Sequence, residues 1–132
     1  MARSNTPELV GRVAMYAGNP KGIIASDLTI RILPIGSVKP SFLAAYLSFL
    51  YLSGYWKERS GGASGTMKKI TRRQIQELLI PTPSLDLQEE IATNLSRHME
   101  ATSQIKNIIT EELEMIKKLS AALLRKAFRG EL

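Results

Sequence analysis

Six cations flank a glycine-rich segment near the middle of this sequence, and they are the residues best suited to binding chemistry. The segment spans residues 60–66, and the cations are Lys57, Arg59, Lys68, Lys69, Arg72 and Arg73, with Glu58 as the one acid among them. Ammonium and guanidinium groups bind phosphate through charge-assisted hydrogen bonds. The segment lacks the Walker spacing, so nucleotide hydrolysis gets little support. The pattern favours phosphate contact over its alternative, a solvated basic face beside a flexible surface turn.

A short helix should position two of these cations. Thr71 and Gln74 match a capping box, and Ile70 with Ile75 supplies the hydrophobic staple. A helix is therefore expected to begin at Thr71, with the next two arginines in its first turn. Cations there oppose the helix dipole, whereas an anion bound at that end would reverse the penalty.

The residues before the basic cluster predict a small module. Residues 10–16 and 22–33 are rich in Val, Ile and Thr, so both are expected to be strands, with residues 18–21 as the turn between them. Residues 34–40 form a loop, and apolar residues at helical spacing predict a buried helix from Ser41 to about Lys57. Aromatic residues on this helix indicate core rather than a ligand platform.

Charge is concentrated in the first part of the chain. Up to Ser84 there are eleven Lys and Arg against four acids, a net of +7, and from Leu85 there are seven against eight, a net of −1. A surplus of positive charge on a small module suggests a polyanionic partner such as nucleic acid.

Catalysis finds little support in the composition. The sequence has one His, His98, and no Cys, so neither a metal constellation nor a nucleophile beside a base is recognisable. We therefore expect a non-enzymatic protein without a cofactor.

The N-terminal residues lack the apolar core of a signal peptide, and the most apolar run, residues 42–52, is too short to span a bilayer. A soluble, cytoplasmic protein with no membrane partner is expected.

The last third of the chain predicts one long helix, from Asp86 to Arg129, with no Pro or Gly before Gly130. Asp86 and Glu89 offer a capping box for it. Its length would be about 65 Å, and its apolar stripe follows heptad spacing typical of a coiled coil. The seam consists of Ile91, Leu95, His98, Thr102, Ile105, Ile109, Glu112, Ile116, Leu119, Leu123 and Lys126. The alternative is a helix packed against the rest of its own chain.

An antiparallel pair of these helices centred near Asn107 would match most layers of the seam. Thr102 would face Glu112, and Ile105 would face Ile109 of the second copy. The expected dimer interface is Ile91, Leu95, Thr102, Ile105, Ile109, Glu112, Ile116, Leu119 and Leu123. His98 would face Ile116, a mismatch in this register.

The junction before the long helix carries a family resemblance. Residues 80–91 read IPTPSLDLQEEI, which resembles the I-P-x-P-x-x-x-x-Q-x-x-I junction of specificity (S) subunits of type I restriction-modification systems. Further similar segments are residues 2–6, 10–13, 24–28, 30–31, 64–66 leading to Ile70, and 124–132. The resemblance implies an α+β fold, with a partial target recognition domain at residues 1–84 and a long helical dimerisation or spacer arm at residues 85–132. In such subunits the target recognition domain has a further N-terminal half, which is expected to be missing here.

The resemblance also implies a function. The chain would be a non-catalytic DNA-binding specificity component that recognises a half-site of double-stranded DNA. Because one copy cannot recognise two half-sites, we expect a homodimer formed through the long helix. Methyltransferase (M) subunits would be its protein partners and would carry the chemistry. The expected DNA contacts are Arg3, Asn5, Lys57, Arg59, Lys68, Lys69, Arg72 and Arg73. The alternative is a helical interaction module that docks methyltransferase subunits without reading DNA. RNA binding is a weaker third interpretation, because the basic segment lacks aromatic stacking residues.

Overall fold

The structure, a computed structural model, describes residues 1–64 and 66–131 and has the α+β architecture that the sequence predicts. In chain order the elements are β1 (Ser4–Asn5), α1 (Pro40–Leu52), α2 (Tyr55–Arg59), β2 (Gly61–Ser64), β3 (Met67–Lys69), α3 (Arg72–Gln76) and α4 (Leu85–Phe128). The chain divides into two compact units, Met1–Thr93 and Asn94–Leu132. The first contains every strand, α1 to α3 and the first turns of α4.

A three-stranded antiparallel sheet lies in the first unit, with β3 at its centre and β1 and β2 on either side. The glycine-rich segment, expected to be a mobile loop, contributes β2 to this sheet, although Gly65 lies outside the described residues. A methyl group at Gly62 would come within 2.1 Å of the carbonyl oxygen of Met67. Glycine therefore serves here for close packing of two backbones rather than for mobility.

The core of the first unit is built mainly from residues of α1 and α2, together with one residue before α1 and one directly after β3. Its buried members are Val10, Leu43, Leu47, Leu50, Trp56 and Ile70. Pro40 at the first position of α1 has the fixed φ that suits a helix start. Gly11 has φ +86°, and an ideal Cβ there would lie 2.5 Å from Cδ1 of Trp56. Only glycine allows the indole to fill the core at this point.

The single helix expected from Ser41 to about Lys57 is two helices. Gly54 has φ +80°, a conformation that ends α1 and begins α2. The Gly54 N–H donates to the Tyr51 carbonyl oxygen at 3.2 Å, and the Ser53 N–H donates to that of Phe49 at 2.9 Å. The prediction of one helix was wrong because the left-handed conformation of Gly54 interrupts the helix. The apolar residues keep their helical spacing across Gly54, so the sequence pattern does not reveal this break.

The strands expected at residues 10–16 and 22–33 are absent, and that prediction was wrong. In place of ladders, this region has turns and one isolated bridge between Ala2 and Thr29. Strand propensity depends on a partner strand and a buried face. Most of this region has no partner strand. It also lacks a buried face, since the side chains of Ile23 and Ile24 are 59% and 92% exposed.

The long helix begins and ends within a residue of the predicted bounds, so the prediction of one uninterrupted helix is confirmed. Its cap is different, because the Leu87 N–H donates to Oγ of Ser84 at 3.4 Å, and Ser84 rather than Asp86 stands at the helix start. Gly130, with φ +70°, ends the helix.

No helix within the described ranges is both long and apolar enough to cross a membrane.

Candidate nucleic-acid interface

Paired strands β1 and β3 bring together three of the predicted DNA contacts. Asn5 lies opposite Lys68 and Ser4 lies opposite Lys69 in the antiparallel register. Successive residues of a strand point to opposite faces, so Lys68 shares a face with Asn5, whereas Lys69 lies on the other face. Lys68 is half-buried and Lys69 is exposed. The two lysines, adjacent in sequence, therefore present their charges on different sides of the sheet.

Helix α3 positions Arg72 and Arg73, and the predicted capping box that starts it is confirmed. The Gln74 N–H donates to Oγ1 of Thr71 at 3.2 Å, and the Thr71 N–H donates to Oε1 of Gln74 at 2.8 Å. Nε2 of Gln74 also donates to the Arg59 carbonyl oxygen at 2.7 Å, which joins α3 to the end of α2. Ile75 packs against the buried core cluster that contains Ile70, in agreement with the predicted staple. The start of α3 is thus held from two sides.

Acidic side chains lie near some of the predicted DNA contacts and not near others. The pairs are Lys57 with Glu8 at 3.9 Å, Arg59 with Glu58 at 3.7 Å, and Arg73 with Glu77 at 2.7 Å. Arg59 also lies over the ring of Tyr55, with Cζ 4.0 Å from the ring centroid. Within the described part of the chain, no carboxylate lies within 4 Å of the charged groups of Arg3, Lys68, Lys69 or Arg72. Among the predicted DNA contacts, these four cations can therefore bind an external anion without first giving up a carboxylate partner.

A groove of about 820 Å³ is lined by residues of the segment 25–33, by Arg3 and by α3. Arg3 and Arg72, both predicted contacts, line it together with Arg31, which the sequence interpretation left out. Its remaining polar residues are Ser26, Asp27, Thr29 and Gln76. Nε of Arg3 is buried and has no hydrogen-bond partner among the described residues. Three guanidinium groups and one carboxylate therefore line the same groove.

Backbone hydrogen bonds hold the far wall of this groove to the start of the chain. The Arg3 N–H donates to the Leu28 carbonyl oxygen at 2.8 Å, and the Ile30 N–H donates to that of Met1 at 2.8 Å. Oγ1 of Thr29 donates to the Ser26 carbonyl oxygen at 2.8 Å and closes a turn. Arg31 is the residue after Ile30, whose N–H makes the second of these backbone hydrogen bonds. The sequence signal that could have identified Arg31 is its position between Ile30 and Ile32. In an alternating run, neighbouring side chains point to opposite faces, so Arg31 would lie on the face away from the two isoleucines.

The predicted dimer-interface residues lie along α4, mostly within the second unit. The apolar members from residue 95 onward are exposed: Leu95 is 41% exposed, Ile105 58%, Ile109 58%, Ile116 61%, Leu119 61% and Leu123 46%. Thr102 and Glu112, the polar members, are exposed as well, and Ile91, in the first unit, is half-buried. An apolar stripe of this length on an exposed helix face is typical of a surface that binds another helix.

Comparison with known proteins decides the family. The family model described as the type I restriction modification DNA specificity domain matches residues 4–115. The chain belongs to this family. The match confirms the resemblance that the junction at residues 80–91 suggested. It contains every predicted DNA contact except Arg3, and the predicted interface as far as Glu112.

Two specificity subunits are similar to this specificity-domain chain. One is described as the type I restriction enzyme MjaX specificity subunit of Methanocaldococcus jannaschii, with 25% identity over 130 residues, 94% of this chain and 28% of that protein. The other is the type I restriction enzyme EcoDI specificity subunit of Escherichia coli, with 32% identity over 66 residues, 50% of this chain and 15% of that protein. The chain thus spans under a third of these relatives. No solved structure matches significantly.

The described residues contain no grouping of three or more His, Cys, Asp or Glu side chains able to hold a metal ion. Cations, amides and hydroxyls of this specificity-domain chain lie on the sheet and along the groove, together with the carboxylate of Asp27. The cations, amides and hydroxyls are groups that can bind a polyanion.

Proposed function

We propose that this chain is a DNA-recognising part of a type I restriction-modification specificity subunit, non-catalytic, and active in the cytoplasm. The observation that carries the proposal is the set of cations on β3 and at the start of α3 without nearby acids. Lys68, Lys69 and Arg72 fall within five residues of one another, and each lacks a carboxylate within 4 Å in the described ranges. The family supplies the class of partner, which is duplex DNA.

The local charge supports phosphate contact in particular. Unpaired cations on a module with a net charge of +7 up to Ser84 attract a polyanion from a distance and then release its counterions on contact. Asn5, beside Lys68 on the sheet, adds an amide that can donate to a phosphate or contact a base edge. Of the remaining predicted contacts, Arg3 has no carboxylate within 4 Å in the described ranges. Lys57, Arg59 and Arg73 would have to exchange exposed ion pairs for phosphate, so they would add less.

Charge removal tests the DNA proposal. The chain with Lys68, Lys69, Arg72 and Arg73 all changed to Ala should lose most of its affinity for a mixed-sequence duplex, measured by fluorescence anisotropy. With four to six phosphate contacts, the wild-type log affinity should fall with log salt at a slope of about −4 to −5. The control removes four cations near the end of the chain, three in α4 and one directly after it, with Lys117, Lys118, Arg125 and Arg129 changed to Ala. Equal losses in both variants would contradict a local contact.

Pairing of two copies through α4 is the second part of the proposal. One copy would recognise one half-site, and an antiparallel homodimer would present two such modules. The exposed apolar seam supports this arrangement, because an uncovered stripe of Ile and Leu is stabilised by burial against a like stripe. A polar layer of Thr102 against Glu112 would select the register, since an all-apolar seam pairs in several ways.

The alternative is a helical interaction module that docks methyltransferase subunits and does not read DNA. The near-neutral charge from Leu85 onward and the exposed seam favour this function for α4. The same four-alanine variant separates the two. Unchanged DNA affinity, together with retained binding to the methyltransferase subunits, would support the interaction module and exclude the DNA-contacting role of the cluster.

A further inference from the structure

We infer that the groove lined by Arg3, Arg31 and Arg72 reads the edges of DNA bases, with Arg31, Gln76 and Asp27 as the reading side chains. The inference rests on the proposed DNA binding and adds to it a place where sequence is read. None of these three residues belongs to the predicted phosphate contacts. The groove, at about 820 Å³, is the larger of the cavities described in the first unit.

The mixture of groups in the groove favours bases over phosphates. Arg pairs with guanine O6 and N7, Gln pairs with adenine N6 and N7, and Asp accepts from cytosine N4. A surface for phosphate alone needs cations, and a carboxylate within it would repel the backbone. Asp27 and Arg31 both line the groove. Because base edges offer both donors and acceptors, they match a groove that contains both.

The charged groups of the groove are uncommitted. Asp27 and the three arginines form no ion pair within 4 Å in the described parts of the chain, although they line one cavity. Arg31, Asp27 and Gln76 are all exposed. Charged side chains that remain unpaired can exchange water for a complementary ligand without first breaking a protein contact.

Both walls of the groove are held by hydrogen bonds that leave these side chains unengaged. The wall at residues 25–33 is tethered through Arg3 N–H to Leu28 and through Ile30 N–H to Met1, both at 2.8 Å. The opposite wall is α3, fixed by the Thr71 and Gln74 capping box. Readout depends on side chains presented from fixed backbone, and both walls meet that condition.

The groove also adjoins the proposed phosphate contacts. Arg72 lines the groove and lies in the same α3 turn as Arg73, three residues after Lys69. A duplex whose backbone lies on β3 and the start of α3 would therefore carry its base edges past Arg31 and Gln76. Positioning contacts and reading contacts are adjacent in this arrangement, as base readout requires.

The experiment compares sequence preference rather than affinity alone. Duplexes are selected from a randomised pool with the full wild-type chain, and the preferred duplex and its single-base-pair changes are then titrated with the variants. Arg31→Lys and Gln76→Ala should each abolish discrimination at one base pair, a loss of roughly 5- to 150-fold, with the salt slope unchanged. Lysine keeps the charge of Arg31 but not its two-donor fork, so the variant separates reading from attraction. Arg12→Ala, outside the groove, is the matched control and should keep the preference.

Three results would overturn the inference. If Arg31→Ala weakens all duplexes equally and lowers the salt slope by about one, Arg31 contacts phosphate. If Arg31→Lys and Gln76→Ala keep the wild-type preference at every position, the groove does not read bases, while the proposed DNA binding stands. If the wild-type chain binds no duplex at low salt, the proposed function fails and the groove inference fails with it.

Discussion

The side-chain oxygen of Gln88 accepts a hydrogen bond from the backbone N–H of Lys39 at 2.8 Å. Nε2 of Gln88 donates to the carbonyl oxygens of Ser37 and Pro83, both at 2.9 Å. Gln88 is fully buried, and its amide joins the loop before α1, the proline-containing linker and the first turn of α4. This glutamine is the Q of the junction at residues 80–91, so its place in the sequence pattern has a structural cause.

Replacement of Gln88 by Ala should lower the free energy of unfolding by about 2–4 kcal/mol. The change leaves the Lys39 N–H and two carbonyl groups without their partner in a buried place, which costs more than the loss of an exposed hydrogen bond. Urea denaturation followed by circular dichroism measures the effect. Glu90→Ala, two residues away on an exposed position of the same helix, should change stability by under about 0.5 kcal/mol. Equal stabilities of the two variants would show that the amide is not needed.

Gly11 and Gly18 form a matched pair for testing how the core is packed. Their φ angles are +86° and +89°, but a Cβ at Gly11 would meet Trp56, whereas a Cβ at Gly18 meets nothing within 4 Å. Gly18→Ala should cost only the left-handed backbone penalty, about 1–2 kcal/mol. Gly11→Ala should cost about 1–3 kcal/mol more, because the indole must move. Thermal unfolding of both variants measures the difference, and equal shifts would contradict the close approach.

The sequence predicts those features of this fold that depend on neighbouring residues. The capping box of Thr71 with Gln74 and the long helix are set by local propensity and spacing, and both are confirmed. The strands expected at residues 10–16 and 22–33 required partners that no local pattern specifies, so that prediction was wrong. The groove was not predicted, for the same reason. Arg3, Arg31 and Arg72 are far apart in the sequence, so no local pattern predicts that they line one cavity.

Two sets of three cations should differ in their effect on DNA binding. Changing Lys68, Lys69 and Arg72 to Ala should reduce the magnitude of the salt slope by about 2, because Arg72 and the lysine on the duplex-facing side of the sheet meet phosphate without giving up an acid. Changing Lys57, Arg59 and Arg73 to Ala removes the same charge but should reduce the slope by under about one, since these groups have carboxylates within 4 Å. Anisotropy titrations at several salt concentrations give both slopes. A larger effect of the second set would exclude the proposed division.

The ion pair between Lys39 and Glu89 should be visible in a titration. The hydrogen bond and the charge of Lys39 hold the pKa of the Glu89 carboxyl below its usual value. Because the folded pKa is the lower one, the pair stabilises the fold at pH above the usual glutamate range and loses this effect as the pH falls through the folded pKa. Carboxyl-carbon NMR should show the Glu89 pKa rising toward the ordinary value in Lys39→Met. Lys21→Met, a charge removal elsewhere, should leave it in place, and a shift of the same size there would contradict a local pair.

The proposed helix pairing is tested best at the centre of the seam, where Ile105 would face Ile109 of the second copy. Both are 58% exposed along α4. Ile105→Lys together with Ile109→Lys would place like charges in adjacent layers, so the chain should become monomeric in sedimentation equilibrium. Ser103→Lys together with Asn107→Lys adds the same charge at the same spacing on the polar face and should leave the association constant within about threefold.

Glu112→Leu then tests the register itself. In the antiparallel arrangement Glu112 faces Thr102, and replacing it removes the polar layer that restricts how the helices align. Leucine at this seam position should strengthen association by about tenfold or shift the register, because it buries apolar surface where a carboxylate stood. Cysteine cross-linking between residues 105 and 109 of the two copies distinguishes a stronger dimer from a shifted one. An association constant and cross-linking pattern both equal to those of the wild type would mean that residue 112 lies outside the interface, which the proposed alignment does not allow.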